Sequence, residues 1–143
     1  MKHEHILTQV IERAAKSGAD ALASPFTVGA SQNWFNELGS VASFTYNTGG
    51  VLTGSYTSKV STGGGTITGP LTGWYSGYVI SWIVMWPTNP PTMTAWVGDY
   101  INVPGGGYNI ETMWYLVSQT ATPGDPTQFW TAVNAGSDLF LPQ

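Results

Sequence analysis

Tyr78-Val79-Ile80-Ser81-Trp82-Ile83-Val84-Met85-Trp86 carries no charge and only two hydroxyls, those of Tyr78 and Ser81. Its β-branched and aromatic residues suit a pleated, packed backbone. With a side-chain period of two, Tyr78, Ile80, Trp82, Val84 and Trp86 share one face, and Val79, Ser81, Ile83 and Met85 share the other. Ser76-Gly77 precedes the run, and Pro87, Pro90 and Pro91 follow it. The stretch reads as a strand between two turns, and the rest of the chain repeats that pattern.

Eight strands are predicted, at residues 32–37, 40–46, 51–60, 66–76, 78–86, 92–102, 108–120 and 128–140. Their connections are short and bear Gly or Pro, as at Asn47-Thr48-Gly49-Gly50 and Pro104-Gly105-Gly106-Gly107. Sequential hairpins make an antiparallel meander. A two-sheet sandwich would normally need a long crossing connection, and none is visible. The expected fold is therefore all-β, an eight-stranded antiparallel up-and-down barrel with an N-terminal α-helical extension. Its interior is wide enough for one small ligand.

The tryptophans give the barrel a purpose. Trp86, Trp96, Trp114 and Trp130 fall one each on successive predicted strands, with Asn, Ser, Thr, Tyr and Asp at alternating positions nearby. Indole walls with a few polar groups at the base describe a small-molecule pocket. The outward faces of three neighbouring strands are apolar as well: Val79, Ile83 and Met85, then Met93, Ala95 and Val97, then Met113, Tyr115 and Val117. Residues 51–60 instead present Thr53, Ser55 and Thr57 outward. A contiguous apolar exterior marks a subunit interface or a surface covered by the N-terminal helix. One helix is too narrow to cover three strands, so an oligomer is expected, a homotetramer or at least a dimer.

Residues 1–24 read as an amphipathic helix, because Ile6/Leu7, Val10/Ile11 and Ala14/Ala15 recur at helical spacing, followed by Ala21/Leu22. Gly18 weakens or ends it. Ala21-Leu22-Ala23 imitates a signal-peptide cleavage site, but Glu4, Glu12, Arg13 and Lys16 interrupt any apolar core of such a peptide. A retained helix is the better reading, with a barrel domain over residues 25–143.

Composition excludes several functions. Only 8% of residues are charged, against roughly 25% in ordinary globular proteins. Beyond residue 20 the one basic residue is Lys59, set against Glu37, Asp99, Glu111, Asp125 and Asp138. No basic patch exists for nucleic-acid phosphates. No apolar stretch approaches the ~18 residues of a membrane helix. The chain has no cysteine. His3 and His5, its only histidines, lack the spacing of a zinc helix, and its glycine runs lack a phosphate loop's Lys-Ser/Thr. No metal, cofactor or nucleophile–base pair is indicated, so binding is expected rather than catalysis. Thr, Ser and Gly carry the solubility, as they often do in extracellular or self-assembling β-proteins.

At this point the residues resemble a known family, the avidin and streptavidin group of biotin-binding proteins. The likeness runs from about Asn33 to Phe140. It is carried by Trp34-Phe35-Asn36-Glu37-Leu38-Gly39-Ser40, Leu52-Thr53-Gly54-Ser55-Tyr56-Thr57-Ser58, Leu71-Thr72-Gly73 and Ser81-Trp82-Ile83-Val84-Met85-Trp86. It continues through Thr94-Ala95-Trp96-Val97-Gly98, Thr112-Met113-Trp114-Tyr115-Leu116, Trp130 and Asp138-Leu139-Phe140. Order and spacing together make the likeness specific.

The resemblance implies biotin as ligand, with no cofactor. It would set Asn36, Ser40 and Tyr56 on the ureido oxygen, and Asp138 and Ser58 on the two ureido N–H groups. Thr94 would face the thioether sulfur, with Thr92 and the loop Ser61-Thr62 near the valerate carboxylate. Trp86, Trp96, Trp114 and Leu116 would wall the bicyclic ring, with Leu38 and Val60 completing the site. Trp130 would close the pocket of a neighbouring subunit. Phe35 stands where the family often has tyrosine, the loop at residues 61–65 is rich in Ser, Thr and Gly, and the N-terminal helix has no counterpart. Two rival readings remain: a barrel of this fold with another ligand, and a structural self-assembling barrel with a vestigial pocket.

Overall fold

The computed structural model describes residues 2–17, 23–59, 63–122 and 124–143. It shows helix α1 (His3–Ser17), then eight strands: β1 (Ser31–Phe35), β2 (Val41–Asn47), β3 (Val51–Ser58), β4 (Ile67–Ser76), β5 (Val79–Trp86), β6 (Thr92–Asn102), β7 (Tyr108–Ser118) and β8 (Val133–Pro142). Each strand pairs antiparallel with the next, and β8 returns to β1, so the sheet is a closed barrel. The expected fold class is the observed one.

The expected strand boundaries lie within two residues of the observed ones, except at the start of the last strand. Residues 128–140 were expected to be a single strand, but Phe129–Ala132 form a 3-10 turn and β8 starts at Val133. The Thr131 hydroxyl donates to Gln128 O at 2.7 Å. That local bond offers the backbone an alternative to the ladder. Trp130 therefore belongs to the turn.

Closure turns one face of every strand inward, and aromatic rings fill the space. Trp34, Phe44, Tyr46, Trp82 and Phe140 are at most 1% exposed. The rings meet edge to face, Phe44 on Trp82 at 4.9 Å and Trp82 on Phe140 at 5.4 Å between centroids. Such contacts add to simple burial. Four of the bulky inward rings face a glycine across the sheet: Phe44 faces Gly54, Tyr56 faces Gly69, Trp82 faces Gly73 and Trp114 faces Gly136. A Cβ at Gly73 would stand 1.9 Å from the Ser81 carbonyl oxygen. These pairs alternate large and nil side chains, so a narrow lumen accepts many rings.

One end of the barrel is shut. Phe26, just after Pro25, lies 3.9 Å from the Tyr100 ring and 4.5 Å from the Tyr46 ring, centroid to centroid. The segment is held by Gly29 N–H to Tyr46 O and Tyr46 N–H to Ala30 O. Trp34 Nε1 donates to the Tyr46 hydroxyl at 3.1 Å. Burial pushes that phenol up to about 12, so it stays neutral inside the core.

The outer face behaves as its composition foretold. Val79, Ile83, Met85, Met93, Val97, Met113, Tyr115 and Val117 are all exposed. Helix α1 does not cover them, for it buries no residue, and Ile6, Leu7, Val10 and Ile11 stay open to solvent. The expectation for Ala21 and Leu22 lies outside the described residues.

Phe26 thus serves as the stopper of the closed end, and Phe26→Ala should lower stability by about 3–5 kcal/mol in urea unfolding, the range for a large-to-small aromatic change in a core.

Candidate functional site

The open end of the barrel is built around the turn from β1 to β2. Asn36 organises it. Its Oδ1 accepts the backbone N–H groups of Leu38 (3.1 Å) and Ser40 (2.9 Å), an Asx-type turn closed by Asn36 N–H to Ser40 O. Gly39 takes the left-handed torsion this turn requires (φ 78°). With Oδ1 occupied, Asn36 Nδ2 is turned to the lumen and donates to the Tyr56 hydroxyl at 3.3 Å.

Ser40 is buried, and its Oγ accepts the Lys59 N–H at 3.1 Å. Its own O–H proton is thereby free to point elsewhere. Tyr56 is buried too, and the Ser40 hydroxyl lies within its hydrogen-bonding reach. Burial first, and the nearby Asp138 second, drive the Tyr56 pKa well above its ordinary value. The phenol therefore keeps its proton at every physiological pH. Three donors, an amide N–H and two hydroxyls, converge from the β1–β2 turn (Asn36 and Ser40) and from β3 (Tyr56).

Asp138 comes from β8. Trp96 Nε1 donates to its Oδ2 at 2.9 Å, and the Thr112 hydroxyl donates to its backbone carbonyl at 3.0 Å. Its carboxyl is held above the usual carboxylate range, chiefly by burial and further by the charge of Glu37. Hydrogen bonds from Trp96, Asn36 and Trp114 oppose that shift. Glu37 was not among the expected site residues. Its Oε1 accepts the Leu139 N–H at 2.8 Å, which ties the β1–β2 turn to β8 beside Asp138. An acid next to Asn36 with no basic neighbour in sequence was the available signal.

Asn36, Leu38, Ser40, Tyr56, Ser58, Trp86, Thr94, Trp96, Trp114, Leu116 and Asp138 together line one cavity of about 180 Å³. Its floor is a stack in which Tyr56 lies 4.8 Å from Trp96, nearly parallel, and Trp96 lies 5.6 Å from Trp82. Trp86 stands perpendicular to Tyr56 and donates through Nε1 to Thr94 Oγ1 at 2.9 Å. Thr92 does not line the cavity, and its hydroxyl meets Ser118 Oγ at 2.9 Å and Pro90 O at 3.2 Å. Val60 and Thr62, with Ser61, lie outside the described residues, as does the side chain of Trp130. Larger hollows of about 460 and 500 Å³ lie over the outer wall of β6–β8 and at the β7–β8 loop. Neither gathers converging donors against an acceptor, as the lumen does.

An eight-stranded barrel with one aromatic, polar-based mouth defines a class of single-ligand lumen proteins. The sequence profile described as the Avidin family matches residues 25–143. The comparison with curated proteins finds no match. Among solved structures, apo shwanavidin is 30% identical, with a TM-score of 0.66, and covers 82% of this chain and 100% of its own. The rhizavidin–biotin complex is 26% identical, with a TM-score of 0.68, covering 82% and 96%. Xenavidin is 26% identical, with a TM-score of 0.66, covering 78% and 95%. The chain belongs to the avidin family.

The raised Asp138 pKa sets a sign for stability. Because the folded state holds this proton more tightly than the unfolded chain, stability falls as pH rises through the window from the ordinary carboxylate range up to the raised value. In the ligand-free protein Asp138→Asn should therefore be the more stable form at pH 7. Urea titrations should show that advantage shrinking as the pH drops through this window.

Proposed function

We propose that residues 25–143 bind biotin non-covalently in the barrel lumen, without catalysis. The observation that carries this reading is the polarity of the cavity base. Asn36 Nδ2, the Ser40 hydroxyl and the Tyr56 hydroxyl are donors by the occupancy of their neighbouring lone pairs, and Asp138 is an acceptor opposite them. A cyclic urea is the complement: one carbonyl oxygen that accepts, flanked by two N–H groups that donate. Asn36, Ser40 and Tyr56 take the ureido oxygen, while Asp138 and Ser58 take the N–H groups. The biotin complex of rhizavidin supports the assignment of ligand.

The walls suit the rest of the molecule. Trp86, Trp96, Trp114 and Leu116 enclose the fused rings, with Leu38 and Val60 beside them. Thr94, whose Oγ1 already accepts from Trp86, faces the thioether. Aromatic walls hold a ligand mainly by removing apolar surface from water. The cavity of about 180 Å³ takes the compact bicyclic head. The valerate chain leads out toward Thr92 and Thr62, at the mouth.

Assembly belongs to the same reading. The exposed apolar face of β5–β7 is a surface for another copy of this chain, as a homotetramer or dimer. Trp130, on the turn before β8, closes the pocket of a neighbouring subunit.

Two experiments test the proposal. Calorimetric titration with biotin should show at least tenfold weaker binding for each of Asp138→Ala and Ser58→Ala, the scale of a hydrogen bond involving a charged group. A biotin analogue lacking the ureido group should bind all three proteins alike and weakly. Unchanged biotin binding in both variants would argue for a different ligand. Separately, Met113→Glu on the outer face should shift the mass measured by light scattering toward the monomer and weaken biotin binding along with it.

A further inference from the structure

Gly136 lies against the Trp114 wall of the cavity. It lies on β8 directly across from Trp114 on β7, two residues before Asp138. A Cβ built at this position would stand 2.5 Å from Trp114 Cζ2, 2.8 Å from Cε2 and 3.2 Å from Nε1. All three nearest atoms belong to one indole. Elsewhere among the described glycines of the strands the first obstacle is backbone: the Ser43 carbonyl at Gly54, the Ser81 carbonyl at Gly73, the Glu111 carbonyl at Gly98. Those glycines are required by sheet geometry. At Gly136 the required space is taken by a side chain that lines the site.

The backbone at Gly136 is ordinary strand without a left-handed torsion. Any residue could adopt it, and a strand interior favours a residue with a side chain. Torsion and propensity thus give no reason for glycine here, while the indole does. The ring edge that rests on Gly136 carries Nε1, and Trp114, which lines the cavity together with Asp138, is among the groups that oppose the upward shift of the Asp138 carboxyl. With that edge against β8, the indole can serve the acceptor and form the wall together.

We propose that Gly136 is a positioning residue for biotin recognition: the absence of its side chain seats Trp114 against β8, where the indole shapes the lumen and supports the Asp138 carboxylate. The inference rests on the biotin reading above. Gly136→Ala forces the indole off β8, because contacts of 2.5 and 2.8 Å lie well inside the ~3.5–4.0 Å optimum for carbon pairs. The displaced ring leaves Asp138 with one supporting donor fewer.

The test is a double-mutant cycle read by two independent signals. Protein labelled with 5-fluorotryptophan gives a ¹⁹F resonance for each indole, and Trp114→Phe identifies the signal of residue 114. In the ligand-free protein Gly136→Ala should shift the Trp114 resonance more than any other. In calorimetry Gly136→Ala should weaken biotin at least tenfold, the scale of one lost charge-assisted hydrogen bond. In the Trp114→Phe background, where the Nε1–Cε2–Cζ2 edge is missing, the same change should alter affinity by less than threefold. That background also serves if Gly136→Ala alone unfolds the barrel, since recovered thermal stability in the double variant would show the same steric conflict. An unmoved Trp114 resonance overturns the inference whatever the ligand. So does an equal loss of affinity in both backgrounds, or an alanine variant that binds biotin like the parent. A parent protein that ignores biotin would defeat the proposed function alone, because the ¹⁹F shift still reports the packing of Gly136 on Trp114.

Discussion

Closure of the sheet is the constraint on which everything else depends. Eight strands joined edge to edge leave no unpaired rim along most of the barrel, and they force half of all strand side chains into a narrow tube. Filling that tube with Trp, Tyr and Phe is possible because glycines stand opposite several of the rings. The packing is dense from Phe26 at the shut end to the Trp82–Trp96–Tyr56 stack. Above that stack the packing opens, and the remaining volume, walled by Trp86 and Trp114, is the cavity. The site is thus where the core runs out of side chains.

What makes that remainder selective is the occupancy of lone pairs. Asn36 and Ser40 are bifunctional groups that could donate or accept. The backbone N–H groups of Leu38, Ser40 and Lys59 consume their acceptor capacity. What faces the lumen is then donor. Asp138 is steadied by an indole N–H rather than by a cation, so its charge is not neutralised before a ligand arrives. The raised Asp138 pKa is the energetic trace of that arrangement. A rigid, pre-oriented set of this kind loses little freedom when a ligand enters.

Much of this was readable from single residues in order. Alternation in β5, β6 and β7 assigned Trp82, Trp86, Trp96 and Trp114 to the inner face and Met85, Met93, Val97 and Met113 to the outer one. Strand period is local, so it survives in the sequence. Asn36, Ser40, Tyr56 and Asp138 were expected together because of their spacing within a family pattern, and they do line one cavity. Illegible features depend on contacts between distant parts of the chain. The Glu37–Leu139 bond joins residues 102 positions apart, and no periodicity announces it. The reason for Gly136 exists only once Trp114 is laid across it. The start of β8 was misjudged because Gln128 and Thr131 compete locally with the sheet, a contest that hydrophobic patterning does not register.

The seam between β1 and β8 holds a consequence of its own. Only Trp34 with Pro142 and Phe35 with Leu141 pair there, and proline brings no N–H to the ladder. The terminal Gln143 adds a bond from its N–H to Asn33 O, and Glu37 adds another to Leu139. This is the thinnest suture in the wall, and the pocket straddles it, with Asn36 and Ser40 on one bank and Asp138 on the other. A guest that grips both banks becomes a clasp. Filling the lumen then does more than store a small molecule: it rivets the barrel where it is most easily prised apart, so occupancy and resistance to heat or proteases rise together.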